Sequence, residues 1–180
     1  MDIIELWNRV ADGFGARLDA VADDQWDDPT PCPEWNVREL TNHAISSQRL
    51  LPMRLGVEIE VADDDDPRAS WAAVRAAAHA AFQQPGVLDQ KVEMPFGEMT
   101  VAQLLTNVAM GDLLIHSWDL ARATGSDEQL DPDAVAVAFE GLKPLDEVLH
   151  SSGKVFGPKV DPPPDADPQT ELLCFAGRRP

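Results

Sequence analysis

Residues 111–125 read GDLLIHSWDLARATG, and two polar side chains in that run decide how the chain folds. Asp112 and His116 are four residues apart, one helical turn, and they fall where a buried face should carry apolar residues. Leu105, Val108, Ile115 and Ala123 lie on or next to the same stripe at steps of three and four. An acid and an imidazole therefore point together at a helical core. Burying either alone is costly. A divalent cation relieves both, because it accepts a carboxylate and a neutral imidazole as ligands. A third ligand must come from another helix, and His43 in WNVRELTNHAISS (35–47) is the candidate. The competing reading is a pair of ordinary hydrogen-bonded core residues, since D-x-x-x-H recurs by chance on helices.

Working outward, Thr100 followed by Gln103 is a capping box that starts this helix, and Gly125 supplies its stop. The same opening occurs at Asn36 and Glu39, which predicts a second helix carrying Val37, Leu40, Ala44, Ser47 and Leu51 inward. That helix should kink or end between Pro52 and Gly56. His43 lies at the edge of its buried face. An earlier helix runs from about Asp2 to Val21 on the stripe Ile3, Trp7, Val10, Phe14 and Leu18. Asp66-Pro67 caps an Ala-rich helix to Gln84. Residues 87–99 suit a short hairpin or extended loop. A fifth helix follows Asp131-Pro132, with a kink at Pro144. The acidic segment Glu58 to Asp66 reads as a long crossover. From Ser151 to Pro180 the chain reads as an irregular tail, with Leu172-Leu173-Cys174-Phe175 docking on the bundle. The expectation is one all-α domain over 1–180, a four-helix bundle with an accessory helix.

Ligation constrains topology. His43 is 7 residues past Asn36, while Asp112 and His116 are 12 and 16 past Thr100. Parallel helices would leave the groups roughly 8 to 14 Å apart in level. Antiparallel helices bring them level, so the metal reading demands an up-down-down-up bundle.

Composition narrows the function. With 32 acidic against 14 basic residues and a net charge of -18, neither a phosphate backbone nor an anionic membrane surface is a suitable partner. The acidic runs at Asp23–Asp28, Asp63–Asp66 and Asp161–Asp167 read as solvated loops. No leader and no bilayer-spanning stretch is evident, which places the protein in the cytoplasm. Cys32 and Cys174 have neither metal nor redox spacing. Cys32 in Pro31-Cys32-Pro33 has the chemistry of a nucleophile, but with no basic group beside it in sequence it reads as a small buried hydrophobe. His79 is expected to face solvent, and His150 to complement a helix C-terminus. Asp119 has two partners within helical reach, the ring nitrogen of His116 and Arg122. Trp118 reads as core packing, and Trp35 as a staple for the second helix.

Cys32-Pro33-Glu34-Trp35-Asn36-Val37-Arg38-Glu39-Leu40 with His43, then Asp112-x-x-x-His116-x-Trp118-Asp119-Leu120-Ala121-Arg122-Ala123-x-Gly125, resembles the DinB-like metal-binding bundles. Within them it is similar to the N-terminal domain of mycothiol-dependent maleylpyruvate isomerase and its short actinobacterial relatives, as is the closing LLCFAGRRP (172–180). The resemblance implies a three-ligand divalent site at His43, Asp112 and His116. That isomerase carries Glu where Asp112 stands, and it has a further C-terminal domain. Three protein ligands leave a coordination position open, the catalytic pattern, with zinc the default and nickel or iron also suited. The implied activity is that of a metal-dependent transferase or isomerase. In it a small thiol, mycothiol, would act as cosubstrate against a small electrophile. A non-catalytic metal- or ligand-binding bundle is the alternative. Monomer and homodimer both remain open.

Overall fold

A computed structural model describes residues 2–59, 66–94, 97–151 and 155–180. Most of them are helical, with one small two-stranded sheet. The predicted crossover lies largely outside the described residues, at 60–65.

Helix α1 (Ile3–Asp19) is capped by Asp2, whose carboxylate accepts from the Ile4 amide at 2.8 Å. It buries Leu6, Trp7, Val10, Phe14 and Leu18. Helix α2 (Val37–Arg54) opens with the predicted capping box of Asn36 and Glu39. It ends two residues after Pro52, and Gly56 adopts a positive φ of 79° just beyond. Helix α3 (Pro67–Phe82) starts on Asp66 with proline in its first turn. Strands β1 (Lys91–Met94) and β2 (Gly97–Thr100) pair antiparallel, Lys91 opposite Thr100 and Met94 opposite Gly97. This realises the hairpin alternative. Helices α1 and α2 both pack against α3 and against the long rod that follows the hairpin.

That rod is not the uninterrupted α-helix expected from Thr100 to Thr124. Thr100 and Gln103 form their capping box over α4 (Val101–Leu104), but residues Leu105–Ala109 widen into a π turn before α5 (Met110–Thr124). Two contacts fit the widened turn. Gln48 of α2 donates to the Ala109 carbonyl at 3.0 Å, and Asn107 presses on Gly141, where a Cβ would lie 2.8 Å from the Asn107 Cα. No capping residue or helix breaker marks such an insertion, which is why periodicity alone missed it.

The fifth helix is also divided. Helix α6 (Pro132–Leu142) is capped by Asp131, a 3₁₀ turn at Lys143–Leu145 surrounds Pro144, and α7 (Asp146–Ser151) follows. The tail is more ordered than predicted. Asp167 caps a further helix, α8 (Pro168–Phe175), through a bond from the Thr170 amide. Leu172, Leu173 and Cys174 are buried, and α8 packs on α6. The Asp-Pro pair that starts α3 and α6 also starts α8; the nearby triple proline masked the signal. No helix among the described residues is long and apolar enough to cross a membrane.

Candidate functional site

His43 sits in the middle of α2, and Asp112 and His116 in the first two turns of α5, the two helices that face each other. Their side chains meet. His116 Nε2 is 3.5 Å and His43 Nε2 is 3.8 Å from Asp112 Oδ1. One ligand atom from each of the three lies within 4.8 Å of the others. These separations are too long for good hydrogen bonds and slightly wider than the spacing of donors around one small cation. The rings of His43 and His116 stand edge to face, centroids 4.9 Å apart.

The donor set fits a divalent cation on a further observation. Asp112 Oδ2 is buried and has no hydrogen-bond partner among the described residues. A buried carboxylate oxygen without a donor is a costly arrangement unless a cation answers it. Burial by itself pushes the Asp112 carboxyl up, but the facing His116 and His43 imidazoles outweigh it and hold it well below the usual carboxylate range. Burial likewise disfavours the His116 imidazolium. Asp112, with Asp119 and Cys32, outweighs that and raises His116 well above an ordinary imidazole. The pocket thus favours positive charge beside Asp112.

Asp119 takes the first of its two predicted partners. Its Oδ2 lies 3.0 Å from His116 Nδ1, while Arg122 pairs instead with Glu128 at 2.7 Å. Asp119 is fully buried, and the charge it brings is balanced by a residue that sequence reasoning did not single out. Arg178, from the segment after α8, donates through Nε to Asp119 Oδ1 at 3.1 Å and through Nη2 to Oδ2 at 2.7 Å. Burial opposes ionisation of Asp119, and His116 and Arg178 outweigh it to hold the carboxyl below its ordinary value.

Cys32 needs correction. It is half-buried, and its Sγ lies 3.0 Å from Arg178 Nη2 and 3.4 Å from Asp119 Oδ2. It is part of a polar network rather than a small hydrophobe. The basic group absent beside it in sequence arrives from 146 residues away. Cys32, His116 and Asp119 also lie close enough to form a metal-ligating set, but the Arg178 guanidinium already supplies the cation there.

Trp35 also differs from expectation. Instead of only stapling the start of α2, its ring stacks on His43, centroids 4.3 Å apart and planes 29° from parallel. It also leans on His116 at 5.8 Å. Trp118 is buried in the core under the Arg122 guanidinium. His79 is exposed, and His150 is tied to the Asp146 and Phe175 carbonyls. Arg178 and Trp35 were missed for one reason. Both belong to loops flanking helices, where periodicity says nothing about direction.

A mostly helical chain with two imidazoles and a carboxylate gathered between two of its helices is consistent with a DinB-like helical domain. The chain belongs to the mycothiol maleylpyruvate isomerase N-terminal domain family, whose model matches residues 7–121. Two uncharacterized proteins of Mycobacterium tuberculosis are similar along nearly their whole length. They are MT0763 of strain CDC 1551 / Oshkosh and Rv0738 of strain ATCC 25618 / H37Rv. Each is 32% identical over 180 residues, covering 99% of this chain and 98% of the relative. No solved structure matches.

Proposed function

We propose that this chain is a divalent-cation-dependent enzyme of thiol chemistry, a transferase or isomerase acting on a small electrophile. In this reading residues 1–180 form one up-down-down-up four-helix bundle with accessory elements, and His43, Asp112 and His116 hold the cation. Zinc is the first choice for two imidazoles and a carboxylate, with nickel or iron as alternatives. Mycothiol is the proposed thiol, on the strength of the family. The observation that carries the reading is the unpartnered Asp112 Oδ2 beside two imidazoles from separate helices.

The cation supplies Lewis acidity that keeps a small thiol ionised at neutral pH. The chain's own residues do the remaining work. Asp119 accepts from His116 Nδ1–H, which fixes the tautomer and turns Nε2 toward Asp112. Arg178 holds Asp119 ionised and still. Trp35 fixes the plane of His43 by stacking. Together they present three ligands without an ordering cost at the moment of binding.

The test combines zinc analysis with a panel of thiols, mycothiol included, offered with electrophiles to zinc-loaded and chelated protein. The expected result is about one zinc per chain, lost in His116→Ala, and zinc-dependent consumption of one thiol. Equal metal content in the two proteins would remove the site. Zinc uptake with no thiol consumed would reassign the chain to a non-catalytic metal-binding bundle.

A further inference from the structure

Beside Asp112 lies a cavity of about 120 Å³. Leu51 and Leu104 form part of its walls, with Val108 and Ala109 of the π turn and Met94 of β1. Its polar groups are few and mostly committed. Gln48 accepts from the Trp7 indole at 3.3 Å and donates to the Ala109 carbonyl, so both ends of its amide are used. Ser47 Oγ faces His43 Nε2 at 3.5 Å. Arg54, which is exposed, donates to the Glu93 carbonyl of the hairpin. Asp112 alone contributes an unpartnered buried oxygen. A ligand here has little to hydrogen-bond beyond that point, so its recognition rests on apolar contact.

The surroundings of the cavity agree. Leu50, which lines it, is 55% exposed, and Met53, three residues along the same helix, is 53% exposed. Of these two only Leu50 lines the cavity, and it places an apolar side chain at the boundary between the cavity and water. The π turn is a second indication. An inserted residue in a helix costs regular hydrogen bonds and occurs frequently at functional sites. Here it sets Val108 and Ala109 into the wall, three residues before Asp112.

We propose that this cavity is the subsite for the substrate's apolar body, and that the electrophile is a small, predominantly hydrocarbon molecule whose reactive end reaches Asp112. The assignment rests on the thiol-chemistry reading above and adds the substrate class to it.

Straight-chain alcohols from ethanol to hexanol serve as probes, read by methyl resonances of the full chain with its zinc content measured in the same samples. Shifts are expected at Leu50, Leu51, Leu104, Val108 and Met94. Affinity should rise about fourfold per added methylene until the chain outgrows the cavity. Leu50→Glu, at an exposed helical position, and Val108→Trp should each flatten that dependence. Affinity independent of chain length, shifts dispersed over other methyls, or an unchanged slope in Leu50→Glu would overturn the proposal. Zinc content judges the metal reading separately: zinc bound with no chain-length dependence removes the subsite alone. A chain-length dependence in protein that binds no zinc removes the metal centre and, with it, the assignment of the occupant as its electrophile.

Discussion

Two carboxylates flank His116, and they are treated in opposite ways. Asp119 is fully buried yet fully answered, by the His116 ring, by two bonds from Arg178 and by the Cys32 thiol. Asp112, one turn before His116 and two turns before Asp119 on the same helix, keeps one oxygen buried with no donor. The first is a closed circuit in which every charge is matched by the chain itself. The second is closed only if something outside the chain joins it. A single imidazole links them, so the stability of the closed circuit fixes the geometry of the open one. Structural cost is therefore expected on the Asp119 side and ligand-binding cost on the Asp112 side, and substitutions can separate the two.

The largest effect on folding should come from Arg178→Met. It leaves the Asp119 carboxylate in the interior with one charged partner fewer, a change that costs about 3 kcal/mol or more when a buried pair is broken. Urea unfolding should show this in the midpoint with little change in slope. Asp119→Asn combined with Arg178→Met removes both charges and should recover much of the loss. Failure to recover would mean that Arg178 acts through packing and not through the pair.

Asp112→Asn breaks the other half. An amide is a poor ligand, and zinc affinity should fall by more than about a hundredfold, beyond the range seen when only outer hydrogen-bond partners of ligands are removed. Equilibrium competition with a chromogenic chelator measures it. Its effect on the urea midpoint of metal-free protein should be smaller than that of Arg178→Met. If the ranking reverses, Asp112 is a structural residue and the contrast between the two carboxylates collapses.

How much of this was readable beforehand follows the same division. The ligand candidates were legible because helical spacing turns a sequence offset into a direction: Asp112 and His116 had to share a face, and His43 had to come from the helix opened by Asn36. The capping boxes at Asn36 and Thr100 placed both helices on the chain. Arg178, Cys32 and Trp35 were not legible, since nothing local ties residue 178 to residue 32 or orients an indole that precedes a helix. The π turn at Leu105–Ala109 was hidden for a different reason. It changes the helical phase by tertiary contacts with Gln48 and Gly141, and those partners lie 61 residues upstream of the Ala109 they bond and on a separate helix, respectively.

Asp119→Asn alone sharpens the link between the circuits. Asn keeps the size and one acceptor oxygen, but it no longer draws the His116 Nδ1 proton with a full charge. Zinc affinity should fall by roughly ten- to a hundredfold, the cost of losing a carboxylate that orients a ligating imidazole. The loss should be smaller than in Asp112→Asn. An unchanged affinity would show that Asp119 belongs to the fold alone.

The smallest effect tests whether the full burial of Asp119 sets the size of the cost expected in Arg178→Met. Asp131 pairs with Arg9 at 2.8 Å and caps α6, but it is only partly buried, its side chain 24% exposed against 0% for Asp119. Burial raises its carboxyl slightly, and Arg9 with the α6 amides outweighs this and lowers it. A carboxylate depressed in the folded state contributes stability that is fully present above its unfolded value, about 3.9, and is lost as pH falls through the folded value. Asp131→Asn retains the cap and removes only the charge, so wild type and variant should differ slightly in urea midpoint at pH 7. The two curves should converge as the solution is acidified from about pH 3.9 down through the lower, folded value. A difference at pH 7 as large as that of Arg178→Met would mean that exposure to water does not screen the pair. The cost expected on the Asp119 side could then not be assigned to its burial.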